Sequence, residues 1–135
     1  MTGNEYQAMA MRTNDNGCTK RLLDFSDGYE YAKNVLDVKD AIIPGDLVNG
    51  AMGLAGEAGE CVDIVKKYVF HSHPLNVVEL EKELGDVMWY VAMCCHALNI
   101  SLDDVMKGNI DKLRKRYPDG FSTDASIHRE EYQND

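Results

Sequence analysis

Two pairs of acidic residues stand at a spacing suited to phosphate chemistry. Glu57 and Glu60 are three residues apart, and so are Glu83 and Asp86. At about 100° per residue the members of each pair lie roughly 60° apart, so each pair projects from one side of a helix. In both segments the pair flanks an apolar stripe whose centre lies roughly 80–90° from Glu57 or Glu83. If the stripes pack face to face, the four carboxylates converge at the edge of the shared core. Such groups repel one another, and partial desolvation raises their pKa values unless a cation is present. Oxygen-only ligands suit a hard divalent ion, Mg²⁺, Mn²⁺ or Ca²⁺, better than zinc. Mg²⁺ commonly combines a few carboxylates with water and substrate phosphates, which makes a phosphate the natural missing ligand. A pair of glutamates at this spacing also occurs on ordinary solvated helix faces, and spacing alone leaves both readings open.

The elements that must carry these acids are helices. Leu47, Ala51, Leu54, Ala58, Cys61, Val62, Val65 and Val69 recur at helical spacing and predict a helix over about 46–70, stopped by His71-Ser-His-Pro74. Gly50, Gly53, Gly56 and Gly59 each cost this helix roughly 1 kcal/mol relative to alanine, so close approach of another helix or a ligand is expected there. Val77, Leu80, Leu84, Val87, Val91, Cys94, Cys95 and Leu98 predict a second helix over about 76–99. Ser101 is the N-cap candidate of a third, from Leu102 to about Lys115, which Pro118-Asp-Gly120 ends.

Residues 1–45 are punctuated by Gly, Asn, Asp and Pro, with short helices expected near Tyr6–Arg12 and Asp27–Leu36. No strand pattern competes. The expected fold is all-α, an antiparallel helical bundle with an irregular N-terminal segment, forming a single domain over 1–121. The polar tail, 122–135, is expected to lack order of its own.

The chain has 135 residues and a formal charge of −9, which argues against a nucleic-acid polymer as partner because that role needs a basic face. An acidic protein still binds a polyphosphate when a divalent cation stands between them. No apolar run reaches the roughly 18 residues of a membrane span, and no leader pattern opens the chain, so a cytoplasmic location is expected. Cys18, Cys61, Cys94 and Cys95 form no CxxC pair and read as reduced, small apolar residues. His71 and His73 read as surface residues of the inter-helix turn. Lys66 and Lys67 suit the negative end of their helix, and Trp89, facing away from the stripe, reads as a surface residue or, in preference, a subunit contact.

Three runs carry a resemblance: Gly53-Leu-Ala-Gly-Glu-Ala-Gly-Glu60, Glu83-Leu-Gly-Asp-Val-Met-Trp-Tyr90, and Asn109-Ile-Asp-Lys-Leu-Arg-Lys-Arg-Tyr-Pro-Asp-Gly-Phe121. In this order, over about residues 47–121, they closely resemble the MazG-like branch of the all-α nucleoside triphosphate pyrophosphohydrolases. Glu5-Tyr-Gln and Arg12-Thr13 also look like that family's opening. The resemblance implies that Glu57, Glu60, Glu83 and Asp86 ligate Mg²⁺, with Mn²⁺ as a substitute. It implies conversion of a nucleoside triphosphate and water to a nucleoside monophosphate and pyrophosphate.

Asn109, Lys112 and Arg116 would hold phosphate oxygens, and Tyr90 would line the nucleotide pocket. Of the acids, Glu60, or else Glu57, would take the proton from water. A homodimer or homotetramer is expected. Many members begin the first motif with two adjacent glutamates, whereas here Gly56 precedes Glu57. The alternatives are a dCTP- or dUTP-selective enzyme of the same fold and a nucleotide-binding helical module without turnover.

Overall fold

The computed structural model describes residues 1–25 and 42–128. Its helices are α1 (Gly3–Ala10), followed by a 3₁₀ turn (Met11–Thr13), α2 (Cys18–Phe25), α3 (Pro44–Phe70), α4 (Val77–Ala97), α5 (Leu102–Arg116) and α6 (Thr123–Ile127). No strand occurs among the described residues, so the fold is all-α.

Local chemistry sets the helix ends. Pro44 starts α3, where a missing N–H costs nothing, and Asp46 adds negative charge to its first turn. Asn76 caps α4 by accepting from the Glu79 N–H, and Ser101 caps α5 by accepting from that of Asp104. Thr2 and Glu5 form a reciprocal capping box on α1. The expected helix near Tyr6–Arg12 is thus α1 and the turn after it, while the one over Asp27–Leu36 falls outside the described residues. Two helices were not anticipated. The first, α2, follows the Asn14–Gly17 turn, and α6 lies in the polar tail, capped by Ser122.

The main packing is between α3 and α4, an antiparallel hairpin. Glycine makes its seam narrow. A Cβ on Gly50 would lie 2.8 Å from the Cys94 sulfur, and one on Gly53 only 2.2 Å from the Tyr90 ring. Around the far end of α4, Ala10, Ala92, Cys95 and Leu102 form a buried cluster, with Tyr6, Met11, Trp89 and Val91 packed against it. All four cysteines are free thiols, and burial pushes those of Cys94 and Cys95 up.

Trp89 departs from expectation. It is half-buried within the chain, and its indole N–H donates to the Ala10 carbonyl (3.2 Å) and the Thr13 hydroxyl (2.9 Å). The face of α4 turned away from α3 is covered by α1, a partner that an apolar stripe count does not reveal. The same short helix is tied to the start of α5: Gly3 N–H donates to the Asp103 carboxylate (2.7 Å), and the Gln7 amide bonds Ile100 O and Leu102 N (3.2 and 3.0 Å).

The α3 stripe is also wider than its cover. Leu47, Leu54 and Cys61 are half-buried, while Ala51, Ala58, Val62, Val65 and Val69 stay exposed. On α4, Val77, Leu84 and Met88 are exposed as well.

Candidate active site

Glu57 lies in the α3 seam, one turn past Gly53, and Glu83 faces it from α4. Both are half-buried, whereas Glu60 and Asp86 are exposed at the rim. Carboxylate oxygens of Glu57, Glu83 and Asp86 all come within 4.8 Å of one another, a separation one cation can span. Glu60 is outside that set, yet close enough for its charge to act on Glu83. The Glu83 carboxyl is raised above its ordinary value, first by desolvation and then by the charges of Glu57, Asp86, Glu60 and Glu79. The donor set is therefore oxygen-only, negative and mutually repelling, which fits a hard divalent ion. No helix among the described residues is long and apolar enough to cross a membrane.

The glycines beside the acids differ in kind. Gly50 and Gly53 are filled by α4, but a Cβ on Gly56, Gly59 or Gly85 would meet nothing within 4 Å. Open, side-chain-free surface thus borders the carboxylates on both helices. Tyr90, half-buried one turn beyond Asp86, lays its ring over Gly53 and meets Trp89 edge-on at 4.9 Å between centroids.

Tyr6 is a residue the sequence reading left without a role. Its hydroxyl donates to the Gly85 carbonyl at 3.4 Å, beside Asp86, and burial followed by the Asp86 charge pushes its pKa up. The signal available was its place in the Glu5-Tyr-Gln opening.

No residue of the basic helix is among the groups clustered with Glu83 or acting on its carboxyl. Asn109, Lys112 and Arg116 fall within about 60° on α5, so they share a face, but the chief contacts of α5 are with α1. Lys107 and Arg114 pair with Asp111 (2.7 and 3.9 Å), and Arg116 lies over the Tyr117 ring at 5.8 Å. At the end of α3, both Lys66 and Lys67 pair with Asp63, which lowers its carboxyl to about 2. His71 and His73 are exposed in the turn and are not part of the metal-competent group.

Comparison with known proteins identifies the domain. Residues 50–121 match the MazG nucleotide pyrophosphohydrolase domain, the stretch that holds all four acids and the basic helix. The chain belongs to that family. It is also similar to the Gene 37 protein of Mycobacterium phage L5, 40% identical over 101 residues, covering 66% of this chain and 89% of the relative. No solved structure matches significantly.

Proposed function

We propose that the protein is an Mg²⁺-dependent nucleoside triphosphate pyrophosphohydrolase, converting a (deoxy)nucleoside triphosphate and water to the monophosphate and pyrophosphate. The observation that carries this reading is the convergence of Glu57, Glu83 and Asp86 within 4.8 Å across the seam of a MazG hairpin.

Those three carboxylates, with Glu60 beside them, would hold Mg²⁺. When bound, the ion supplies charge neutralisation for the triphosphate and lowers the pKa of the attacking water. Glu60, exposed and outside the closest group, is the carboxylate left to accept the proton as water cleaves the α–β anhydride. Glu57, inside the group, is the second choice. Tyr90 would border the sugar or base, and Asn109, Lys112 and Arg116 would counter charge on the phosphates, the guanidinium with the better fork for them. Mn²⁺ would substitute for Mg²⁺ on the same oxygen donors.

The molecule would work as a homo-oligomer in the cytoplasm. Ala51, Ala58, Val62, Val65 and Val69 on α3, with Val77, Leu84 and Met88 on α4, lie roughly opposite Glu60 and Asp86 on their helices. Their exposure, reaching 65% at Val62, leaves a two-helix apolar face that a second hairpin would complete as a four-helix bundle.

The test is product identification with the common ribo- and deoxyribonucleoside triphosphates in Mg²⁺. Equimolar monophosphate and pyrophosphate support the reading, and a strong bias to dCTP or dUTP would narrow it. Mg²⁺-dependent binding without product would replace it with a binding module.

A further inference from the structure

A cleft of about 370 Å³ opens between α2 and α3, away from the acids, with a lining that includes Cys18, Arg21, Leu22, Val48, Asn49 and Met52. Its size falls in the roughly 300–1,000 Å³ of small-molecule pockets, and it shares their pattern of apolar walls with a few polar groups. Leu22, Val48 and Met52 supply the walls. The Arg21 guanidinium donates through both terminal nitrogens to Asp15, at 2.8 and 2.9 Å. That pairing engages the edge of the group and leaves a planar face suited to stacking on an aromatic ring. Among the described residues the Asn49 amide donates only to sulfur, Cys18 Sγ at 3.5 Å and Met93 Sδ at 3.7 Å. Sulfur is a weak acceptor, so a ligand edge with paired donor and acceptor competes easily for this side chain.

The cleft is joined to the acids along one strip of α3. Asn49, Gly53, Gly56 and Glu60 fall within about 60° of one another, and Asn49 stands about 12 Å along the axis from Glu57. Between them, Gly53 is covered by the Tyr90 ring, and Gly56 has nothing within 4 Å of a would-be Cβ. Between the cleft and the carboxylates the surface is therefore the Tyr90 ring, which fills the space over Gly53, followed by the open backbone at Gly56. A nucleotide whose phosphates sit at the carboxylates would have the open surface at Gly56 and the Tyr90 ring for its sugar and the cleft for its base.

We propose that the α2–α3 cleft receives the base of the substrate nucleotide, with Asn49 reading its hydrogen-bonding edge while Met52 and Arg21 cover its faces. The assignment rests on the pyrophosphohydrolase reading above and adds to it where selectivity for the base is set. Asparagine suits this task because its amide presents a donor and an acceptor side by side, and replacing it with aspartate exchanges the donor for a second acceptor.

The experiment is steady-state kinetics of wild-type protein, Asn49→Asp and Met52→Trp with each common deoxynucleoside triphosphate, with inhibition by inorganic pyrophosphate as a readout of the phosphate end alone. Asn49→Asp is expected to change the ratio of kcat/KM between bases by about tenfold or more. Met52→Trp, which fills the cleft from a position 71% exposed, is expected to raise KM about tenfold for every base. Pyrophosphate inhibition should stay within about twofold in both. Unchanged base ratios and KM values in folded variants would overturn the assignment, as would an equal loss of pyrophosphate inhibition. If the wild-type protein cleaves no nucleoside triphosphate, the pyrophosphohydrolase reading falls instead. Calorimetry with nucleoside monophosphates then decides the cleft: binding weakened by Met52→Trp supports it, and no binding, or binding the variant leaves unchanged, refutes it.

Discussion

Tyr90 closes over Gly53 so tightly that a Cβ there would lie 2.2 Å from its ring, while three residues on, at Gly56, the same helix faces open space. The two glycines should therefore respond oppositely to alanine. Gly53→Ala must displace an aromatic ring in the α3–α4 seam, an overpacking cost of about 1–3 kcal/mol against a propensity gain of about 1 kcal/mol. Gly56→Ala has the gain without the clash and should raise stability by up to about 1 kcal/mol. Thermal melts of the two variants check the contrast.

Trp89 anchors α1 by its indole N–H, which is shared between Ala10 O and Thr13 Oγ1. Trp89→Phe keeps an aromatic ring but removes the N–H donor with the five-membered part of the indole, so it should cost at least about 1–2 kcal/mol and speed amide exchange in Gly3–Ala10 ahead of α4. Uniform acceleration through both helices would mean that α1 is not held separately by this contact.

Much of this was legible in the sequence, and the reason is periodicity. The extents of α3 and α4 follow from apolar residues at helical spacing, and each i,i+3 acid pair stands on the helix expected to carry it, with Glu57, Glu83 and Asp86 drawn together between them. What spacing could not show was which neighbour covers each face. Trp89 looked outward because only the α3 contact was visible, whereas the covering element, α1, is held by caps and side-chain bonds from Thr2, Gln7 and Asp103 that carry no period. The difference between Glu57 in the seam and Glu60 at its rim was hidden for the same reason. So was Tyr6, whose approach to Gly85 joins residues 79 positions apart.

The raised pKa of Glu83 gives a pH signature. A carboxyl raised in the folded state binds its proton more tightly there than in the unfolded chain. Its contribution to stability is thus full at low pH and is lost as pH rises through the folded pKa. A divalent ion needs the deprotonated group and so competes with that proton. The Mg²⁺-induced rise in Tm should be large at about pH 8 and fade toward about pH 4.5, the ordinary carboxylate range. Glu83→Gln should raise the metal-free Tm at neutral pH and remove the Mg²⁺ response. A Mg²⁺ shift of equal size at both pH values would place the ion elsewhere.

The apolar face opposite the acids predicts association. Light scattering at micromolar concentration should give at least a dimer, and Val62→Glu together with Val65→Glu should shift it toward monomer by placing charges in the contact. A wild-type monomer would contradict a shared face.

The most direct test of the central claim is pyrophosphate release from a nucleoside triphosphate in Mg²⁺ by wild-type protein and by Asp86→Asn, with folding verified by circular dichroism. The carboxylate cluster predicts turnover in the wild type that stops with EDTA and falls about a hundredfold or more in Asp86→Asn. Turnover at the wild-type rate in the variant, or turnover indifferent to EDTA, would contradict it.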